Sequence, residues 1–411
     1  MVKRPLFFYG WIIVASCAVL MMMHAGAMYS YGVFFKYLVA DFGWSRAATS
    51  GVYSLFMFTH GVSSVVMGWL VDRFGPASVM LFCGVIAGLG LVLTSQVSAL
   101  WQLYVTYGLV VGVGLGAHYP TCTATTVRWF VERRGLALGI VTSGVGLGTL
   151  LLIPAVEYLI VASSWSTAYF VLGIASWAIM ILAALFLRRA PGDVARRSPG
   201  MAGPDMPPAV ISEAGISLKM AARYRPLWML CATFFLFNFC LQMVMVHLVN
   251  YATDIGIASL IAATFISIIG VGGFIGRLSM GTVSDRIGSH NALIICCTIL
   301  TVTLVFLIFT SELWMFYLFA IVFGFAYGGE VPQLPVLVGR FFGMRAVAAL
   351  VGTVVFGATI GGALGAWVAG RIFDVTQSYQ MAFTIAAVAS LATMIITVML
   401  KKAKAVTAGP A

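Results

Sequence analysis

The chain has 411 residues, of which 62% are hydrophobic and only 9% are charged. Soluble globular proteins carry about 25% charged residues, so this composition excludes a soluble fold and indicates an integral membrane protein. The formal net charge of +11 would favour nucleic-acid binding in a soluble protein. Here we attribute it to basic loops on the cytoplasmic side of a lipid bilayer and expect no nucleic-acid partner.

Twelve segments are long and apolar enough to cross a bilayer, which takes about 20 apolar residues in a helix. The first segment follows a basic N-terminus and resembles a secretory signal. Its apolar run is too long for a signal and eleven more segments follow, so we predict a spanning helix instead. The predicted spans are 9–36, 47–70, 77–95, 100–127, 136–160, 167–187, 226–251, 258–280, 290–310, 313–338, 345–371 and 379–400.

The connection at residues 188–225 is rich in proline, glycine and charged residues, a composition typical of a linker. It separates a predicted six-helix bundle at 1–187 from a second bundle at 226–400, which is followed by a tail at 401–411. The sequence therefore predicts an all-α polytopic membrane protein with twelve transmembrane helices in two pseudo-symmetric six-helix bundles.

Lysines and arginines predict the orientation of these helices, because cytoplasmic loops carry an excess of both. With the termini and the linker in the cytosol, all but four of the 23 lysines and arginines lie on the cytosolic side. Lys36, Arg46 and Arg371 lie on the opposite side, and Arg277 remains inside a span. We expect a multi-pass cytoplasmic (inner) membrane protein of a prokaryote, with both termini and the tail in the cytosol.

Two sequence patterns occur once in each half at matching positions. The stretch "GWLVDRFG" at 68–75 matches "GTVSDRIG" at 281–288, and "GVGLGAHYP" at 112–120 corresponds to "GFAYGGEVP" at 324–332. Both pairs have nearly the same offset, which indicates a duplicated six-helix unit. Such a duplication is typical of one transporter architecture.

Twelve spans, a basic central loop and a doubled G-x-x-x-D-R-x-G motif resemble the major facilitator superfamily. The resemblance covers essentially the whole chain, and it implies a transporter that works by alternating access, functions as a monomer, uses no cofactor and is not an enzyme. It also implies a conformational gate formed by the charged residues of the motif, which we place in tight loops. These residues are Asp72, Arg73, Asp285 and Arg286.

The fifth span opens with "RWFVERRGLALGIVTSGVGLG" at 128–148, which is similar to the signature of the monocarboxylate transporters. This resemblance implies transport of a small monocarboxylate, such as lactate or pyruvate, with a proton as the co-transported partner. Bacterial oxalate/formate exchangers share much of the pattern, including "DRFGP" at 72–76, so anion exchange is the alternative. A non-transporting membrane sensor is the remote alternative.

Two positions depart from the animal monocarboxylate carriers. Gly273 stands where those carriers place an aspartate one helical turn before an arginine, and Tyr29 stands where they place a lysine. Both family residues are implicated in proton handling. The proton mechanism of that family therefore does not transfer unchanged to this chain.

Arg277 is the only formal charge between Ala258 and Met280. Its counterpart in the first half is Ser64, so the duplicated scaffold does not require an arginine at this position. We expect its guanidinium to bind a carboxylate; the alternative is a side chain that reaches the lipid headgroups. The remaining substrate-binding candidates are aromatic or apolar residues of the spans, namely Tyr119, Tyr29, Met28, Val145, Leu147, Tyr327 and Phe356.

Proton coupling requires a titratable group inside or at the end of a span. The candidates are Asp254, His247, Glu330 and His118. The alternative role for Asp254 is to cap the following helix. The glycine-rich fifth span around Val145 and Leu147 also has an alternative role, which is tight helix packing. Glycines in a membrane helix indicate such packing more often than they indicate a binding surface.

No metal site is expected. The seven cysteines lie within apolar segments without a C-x-x-C pair, and the five histidines form no cluster in the sequence. We therefore interpret the cysteines as packing residues.

Overall fold

The structure is a computed structural model that describes residues 8–190 and 215–402, and these residues are helical apart from short connections. Twelve helical stretches among them are long and apolar enough to cross a membrane. The all-α fold class and the twelve predicted spans are thus confirmed. Most of the predicted tail and most of the predicted linker lie outside the described residues.

The chain divides into two compact units, one of Met1–Gly215 with Met344–Ala349, and one of Ile216–Gly343 with Leu350–Ala411. In the first unit, the helices are α1 (Gly10–Tyr29), α2 (Tyr31–Phe42), α3 (Arg46–Phe74), α4 (Pro76–Thr94), α5 (Leu100–Leu103), a π-helical segment (Tyr104–Val111), α6 (Gly112–Gly116), α7 (His118–Trp129), α8 (Arg134–Ala162) and α9 (Trp165–Leu185).

The second unit contains a short helix, α10 (Leu218–Ala221), and then the helices of its six spans. They are α11 (Arg225–Asp254), α12 (Ser259–Ile287), α13 (Ser289–Ile308), α14 (Leu313–Glu330), α15 (Gln333–Phe342), α16 (Val347–Thr376) and α17 (Gln380–Lys401). The first residues of α16 cluster with the first unit.

The fourth span is interrupted close to its centre. A π-helical segment precedes α6, and the α-helix breaks at Ala117 before it resumes at His118. Pro120 contributes to this break because a proline has no N–H to donate to the preceding turn. The tenth span has a similar break, between α14 and α15, where Pro332 precedes Gln333.

The doubled Asp–Arg motif lies on helices and not in the predicted tight loops. Asp72 belongs to the last turn of α3, and Asp285 belongs to the last turn of α12. Each helix continues until a glycine with positive φ, Gly75 at 97° or Gly288 at 85°, ends it. Such a backbone conformation is accessible to glycine without steric cost, so the chain turns only after the motif.

Glycines allow α12 and α14 to pack closely. A Cβ atom at Gly272 would lie 2.5 Å from the carbonyl oxygen of Ile321, and one at Gly276 would collide with the carbonyl group of Phe325. Small residues of this kind permit close approach of helix backbones in membranes, where packing and not hydrophobic exclusion holds helices together. The contact sets the position of the arginine that follows Gly276.

The fifth span uses its glycines in the same way. Cβ atoms at Gly144 and Gly148 of α8 would collide with the carbonyl oxygens of Ala18 and Met22 on α1. Val145 is half-buried and Leu147 is exposed in the same part of α8. The packing role that we gave as the alternative for this glycine-rich helix is therefore present in the structure.

We expect Gly276→Ala to destabilise the protein by about 1–3 kcal/mol, the usual cost of overpacking a tight contact. Thermal unfolding of the purified protein in detergent measures the effect. The control is Gly270→Ala on the same helix, because a Cβ atom at Gly270 meets nothing within 4 Å. Equal stability of the two variants would contradict the close contact between α12 and α14.

Candidate functional site

Arg277 of α12 is buried inside the second unit, with 3% of its surface exposed. Its Nη2 atom donates a hydrogen bond to the hydroxyl of Tyr327 on α14 at 2.5 Å, and its guanidinium carbon lies 4.8 Å from the centre of that ring. The side chain therefore points towards α14. It does not extend to the surface, as the headgroup alternative would require.

The guanidinium retains donors that no described residue uses. Its Nε atom is buried and has no hydrogen-bond partner among residues 8–190 and 215–402, and no carboxylate in that part of the chain forms an ion pair with it. A charged group left without a partner in an apolar interior is unfavourable. The geometry thus favours an anion that binds at Arg277.

Gly273, one turn before Arg277, lets the guanidinium and the Tyr327 ring lie close to the backbone of α12. A Cβ atom at this position would lie 3.2 Å from Nη1 of Arg277 and 3.2 Å from Cε1 of Tyr327. Phe237 of α11 stacks on the Tyr327 ring with 6.3 Å between ring centres. Tyr327 is therefore brought together with Gly273 and Arg277, from which it is distant in sequence.

Glu330 ends α14, one turn after Tyr327, and it is fully buried. Neither of its carboxyl oxygens has a hydrogen-bond partner of normal geometry among the described residues. The polar groups around it are the thiols of Cys240, Cys296 and Cys297. The structure contains no ion pair between Glu330 and Arg277, although both lie in the same unit.

His247 and Asp254 are not joined to each other. The Nδ1 atom of His247 lies 3.3 Å from the Tyr379 hydroxyl and its Nε2 atom lies 3.0 Å from the Ala366 carbonyl oxygen. Asp254 is exposed two helical turns further along α11, about 10 Å away at 1.5 Å per residue. Nor does Asp254 cap the next helix, since the residue at the N-cap of α12 is Ala258, with no side-chain cap bond.

In the first unit, His118 lies beside two further histidines, His24 of α1 and His60 of α3. Ring centres are 5.5 Å apart for His24 and His118, and 5.3 Å apart for His24 and His60. The histidines are thus separated in the sequence, but the fold brings these three together. Residues 24, 60 and 118 belong to three different helices, so their spacing in the sequence gives no signal of this contact.

The other substrate candidates lie at different depths in their units. Met28 is buried and its carbonyl oxygen accepts a hydrogen bond from Tyr107, whereas Tyr29 is exposed. Tyr119 and Phe356 are half-buried. Their roles in binding a substrate remain predictions.

An ion pair that the sequence analysis missed joins Arg128 of α7 to Asp72 of α3. The distance between Arg128 Nη2 and Asp72 Oδ1 is 2.5 Å, and both side chains are 9% exposed. Asp72 also accepts hydrogen bonds from the backbone N–H groups of Ala348 and Ala349, while Arg128 donates to the carbonyl oxygen of Met344. The one available signal was that Arg128 opens the "RWFVERR" stretch.

The remaining residues of the doubled motif have different surroundings. Arg73 lies over the rings of Trp69 and Phe74, at 5.5 Å and 5.3 Å from the ring centres. Asp285 and Arg286 of the second unit are exposed. The two copies of the motif are thus not equivalent in the structure.

Comparisons with known proteins agree with this architecture. The family model described as Major Facilitator Superfamily matches residues 17–311 and 280–410. Monocarboxylate transporter 12 of Xenopus laevis is 27% identical over 393 residues, which cover 91% of this chain and 85% of that protein. The oxalate:formate antiporter of Oxalobacter formigenes is 27% identical over 283 residues, which cover 69% of this chain and 65% of that protein.

Solved structures of the same architecture exist. The crystal structure of a major facilitator superfamily transporter, FucP, in the outward conformation aligns with a TM-score of 0.76 and 16% sequence identity, covering 96% of this chain and 100% of that one. At this identity, the similarity supports the fold and not the substrate.

We expect Asp72→Asn to lower the stability of the protein markedly, because breaking a buried ion pair typically costs about 3–5 kcal/mol. The melting temperature of the detergent-solubilised protein measures this. Asp285→Asn, which removes the exposed carboxylate at the equivalent repeat position, is the control and should have a much smaller effect. Equal losses would show that the Asp72–Arg128 pair is unimportant for stability.

Proposed function

The chain belongs to the major facilitator superfamily, whose members are transporters and not enzymes, and we propose that it carries a small monocarboxylate across the membrane together with a proton. Lactate and pyruvate are representative of the substrate class. The observation that carries the proposal is the buried guanidinium of Arg277, which no described carboxylate neutralises. The names of the relatives, which include monocarboxylate and oxalate:formate transporters, support an organic anion.

A carboxylate suits the environment of Arg277. A guanidinium binds a carboxylate through two parallel N–H donors, and the Tyr327 hydroxyl beside it adds a third polar group. The proposed substrate-binding residues also include Phe356 and five residues of the first unit, namely Tyr119, Tyr29, Met28, Val145 and Leu147. We propose alternating access as the transport mechanism, with both termini in the cytosol.

The charge of the site links substrate binding to a proton. With a carboxylate bound, Arg277 is neutralised, whereas the empty site holds an uncompensated cation in an apolar interior. A carrier that returns empty therefore needs an acid that ionises when the substrate leaves. Binding of the next substrate then requires this acid to be protonated again, which is proton symport.

Glu330 fits this role better than the other two candidates of the second unit. It is fully buried, has no hydrogen-bond partner of normal geometry among the described residues, and lies one turn from Tyr327 on α14. Asp254 is exposed, and both ring nitrogens of His247 are engaged. We therefore assign the neutralising proton to Glu330.

Anion exchange is the second candidate function, and Gly273 favours it. An exchanger needs no internal acid, because the next anion neutralises the arginine. Gly273 leaves Arg277 without the neighbouring carboxylate that the animal carriers have at this position. Whether Glu330 releases a proton when the site empties therefore distinguishes symport from exchange.

We also propose that the doubled motif acts as the conformational gate. Asp72 accepts hydrogen bonds from two backbone N–H groups in the N-terminal turn of α16. Arg128 pairs with Asp72 and also donates to the carbonyl oxygen of Met344, which precedes α16. These bonds must break if the segment moves away from α3 during the transport cycle. Arg73, Asp285 and Arg286 remain gate candidates that the proposal includes.

We expect Arg277→Ala to abolish lactate and pyruvate uptake into proteoliposomes, and Arg277→Lys to weaken it at least tenfold, because a lysine cannot offer the planar pair of donors. A substrate-panel uptake assay measures both effects. Arg223→Ala is the control, since it removes the same charge from an exposed position. Uptake by Arg277→Ala at the wild-type rate would disprove the central role of Arg277.

We expect Glu330→Gln to lose uptake driven by an imposed pH gradient while it retains counterflow between lactate inside and outside the proteoliposome. The neutral amide cannot release a proton when the site empties, but exchange does not require this step. Gly273→Asp places a carboxylate beside Arg277 and, combined with Glu330→Gln, should restore part of the response to pH. Wild-type uptake that ignores the pH gradient would favour the exchanger.

A further inference from the structure

We propose that His24, His60 and His118 form a second proton-binding site, located inside the first unit. The inference rests on the proposed proton coupling and extends it from Glu330 to the other half of the chain. The three rings come from α1, α3 and α7, and all three side chains are at least nine-tenths buried. They lie at the break of the fourth span, where α6 ends at Gly116 and α7 begins at His118.

The ring nitrogens of this cluster lack partners to an unusual extent. Both nitrogens of His60, Nδ1 of His24 and Nε2 of His118 have no hydrogen bond to any described residue. Nδ1 of His118 lies 3.1 Å from the carbonyl oxygen of Leu115, just before the break. Packing histidines normally satisfy their polar atoms, so four unpartnered nitrogens on adjacent rings indicate a ligand.

The proton is the ligand that this chemistry fits. Imidazole is the side chain that gains and loses a proton near neutral pH, and adjacent rings share one proton more readily than they hold two positive charges. Asp72, the acidic residue within α1, α3 and α7, is engaged elsewhere because it pairs with Arg128. A metal is a poorer fit, since no group of histidine, cysteine and acidic residues within the described chain has the arrangement of a metal site.

The described charged side chains that are half-buried on the helices around the cluster are bonded elsewhere, Asp72 to Arg128, Glu157 of α8 to Tyr37 and Arg134 of α8 to the carbonyl oxygen of Phe130. Besides these and the three histidines, the titratable side chains in the described buried or half-buried parts of α1, α3, α4, α7, α8, α9 and the π-helical segment are thiols and phenols, which are neutral at physiological pH. They include Cys17, Cys83, Cys122, Tyr53, Tyr107 and Tyr119. Phe56 separates His60 from the phenol ring of Tyr107, with ring centres 5.8 Å and 5.1 Å away respectively.

A polar stripe leads from the cluster along α7. His118, Thr121 and Thr125 follow each other at intervals of three and four residues, so they share one face of the helix, and Arg128 continues the same face towards Asp72. The hydroxyls of Thr121 and Thr125 are buried and have no hydrogen bond to the described residues.

The other threonines of α7 differ in this respect. Thr123 and Thr126 bond back to carbonyl groups of their own helix, at 2.7 Å each. This contrast indicates that the hydroxyls of Thr121 and Thr125 can hydrogen-bond to water. We assign the stripe as the route by which a proton, carried by water between the hydroxyls, passes from an imidazolium N–H to solvent water at the end of the helix that carries Arg128, so that the water is protonated and a neutral imidazole remains.

Histidine-selective ¹⁵N labelling of the full chain in nanodiscs tests the site directly, because the sequence contains five histidines. We expect the rings of His24, His60 and His118 together to take up one proton as the pH is lowered, and His60→Gln to alter the titration of both remaining rings. His290→Gln, in the second unit, is the control that should leave them unchanged. Three rings that titrate independently, or that remain neutral throughout, would overturn the proposal.

Transport measurements then test the stripe. We expect Thr125→Val to slow pH-driven uptake at least tenfold, with counterflow exchange retained as evidence of a folded carrier, whereas Thr126→Val should be close to wild type. Equal effects of the two variants would overturn the route. The NMR titration needs no substrate, so a protein that carries no monocarboxylate would disprove the proposed function and leave the test of the cluster intact.

Discussion

Polar groups inside a bilayer have no water to hydrogen-bond with, so each needs a partner within the protein or in a ligand. Arg277 is the site where this constraint is most demanding, because a guanidinium remains charged at any physiological pH. Its surroundings provide the phenol of Tyr327, but no described carboxylate. The proposed function, transport of an organic anion, follows from this positive charge without a described counter-ion.

The geometry of helix packing determines how this charge is presented. The glycine contact between α12 and α14 brings Tyr327 within hydrogen-bonding distance of Arg277. Glu330 lies on α14 as well, one turn after Tyr327. A tighter or looser contact would separate the phenol from the guanidinium. The small residues therefore act on the binding chemistry indirectly, by fixing where the polar groups meet.

Much of the fold was predictable from the sequence, since any run of about 20 apolar residues must span the bilayer as a helix. Arg277 was also identifiable as a lone charge in such a run. The contact between Arg277 and Tyr327 was not, because it depends on how α12 and α14 pack. The loop position predicted for the Asp–Arg motif was wrong because the helix-ending conformations of Gly75 and Gly288 come after it. Hydrophobic periodicity does not report where such a turn begins.

The segment Met344–Ala349 belongs to the first unit by its contacts, although its neighbours in the chain belong to the second. Asp72 and Arg128 depend on its backbone for three of their hydrogen bonds. During synthesis, the ribosome completes all of α1 to α9 long before these partners exist. The first unit therefore reaches its final set of bonds only when the eleventh span begins to emerge, which makes its last step of maturation dependent on the second unit.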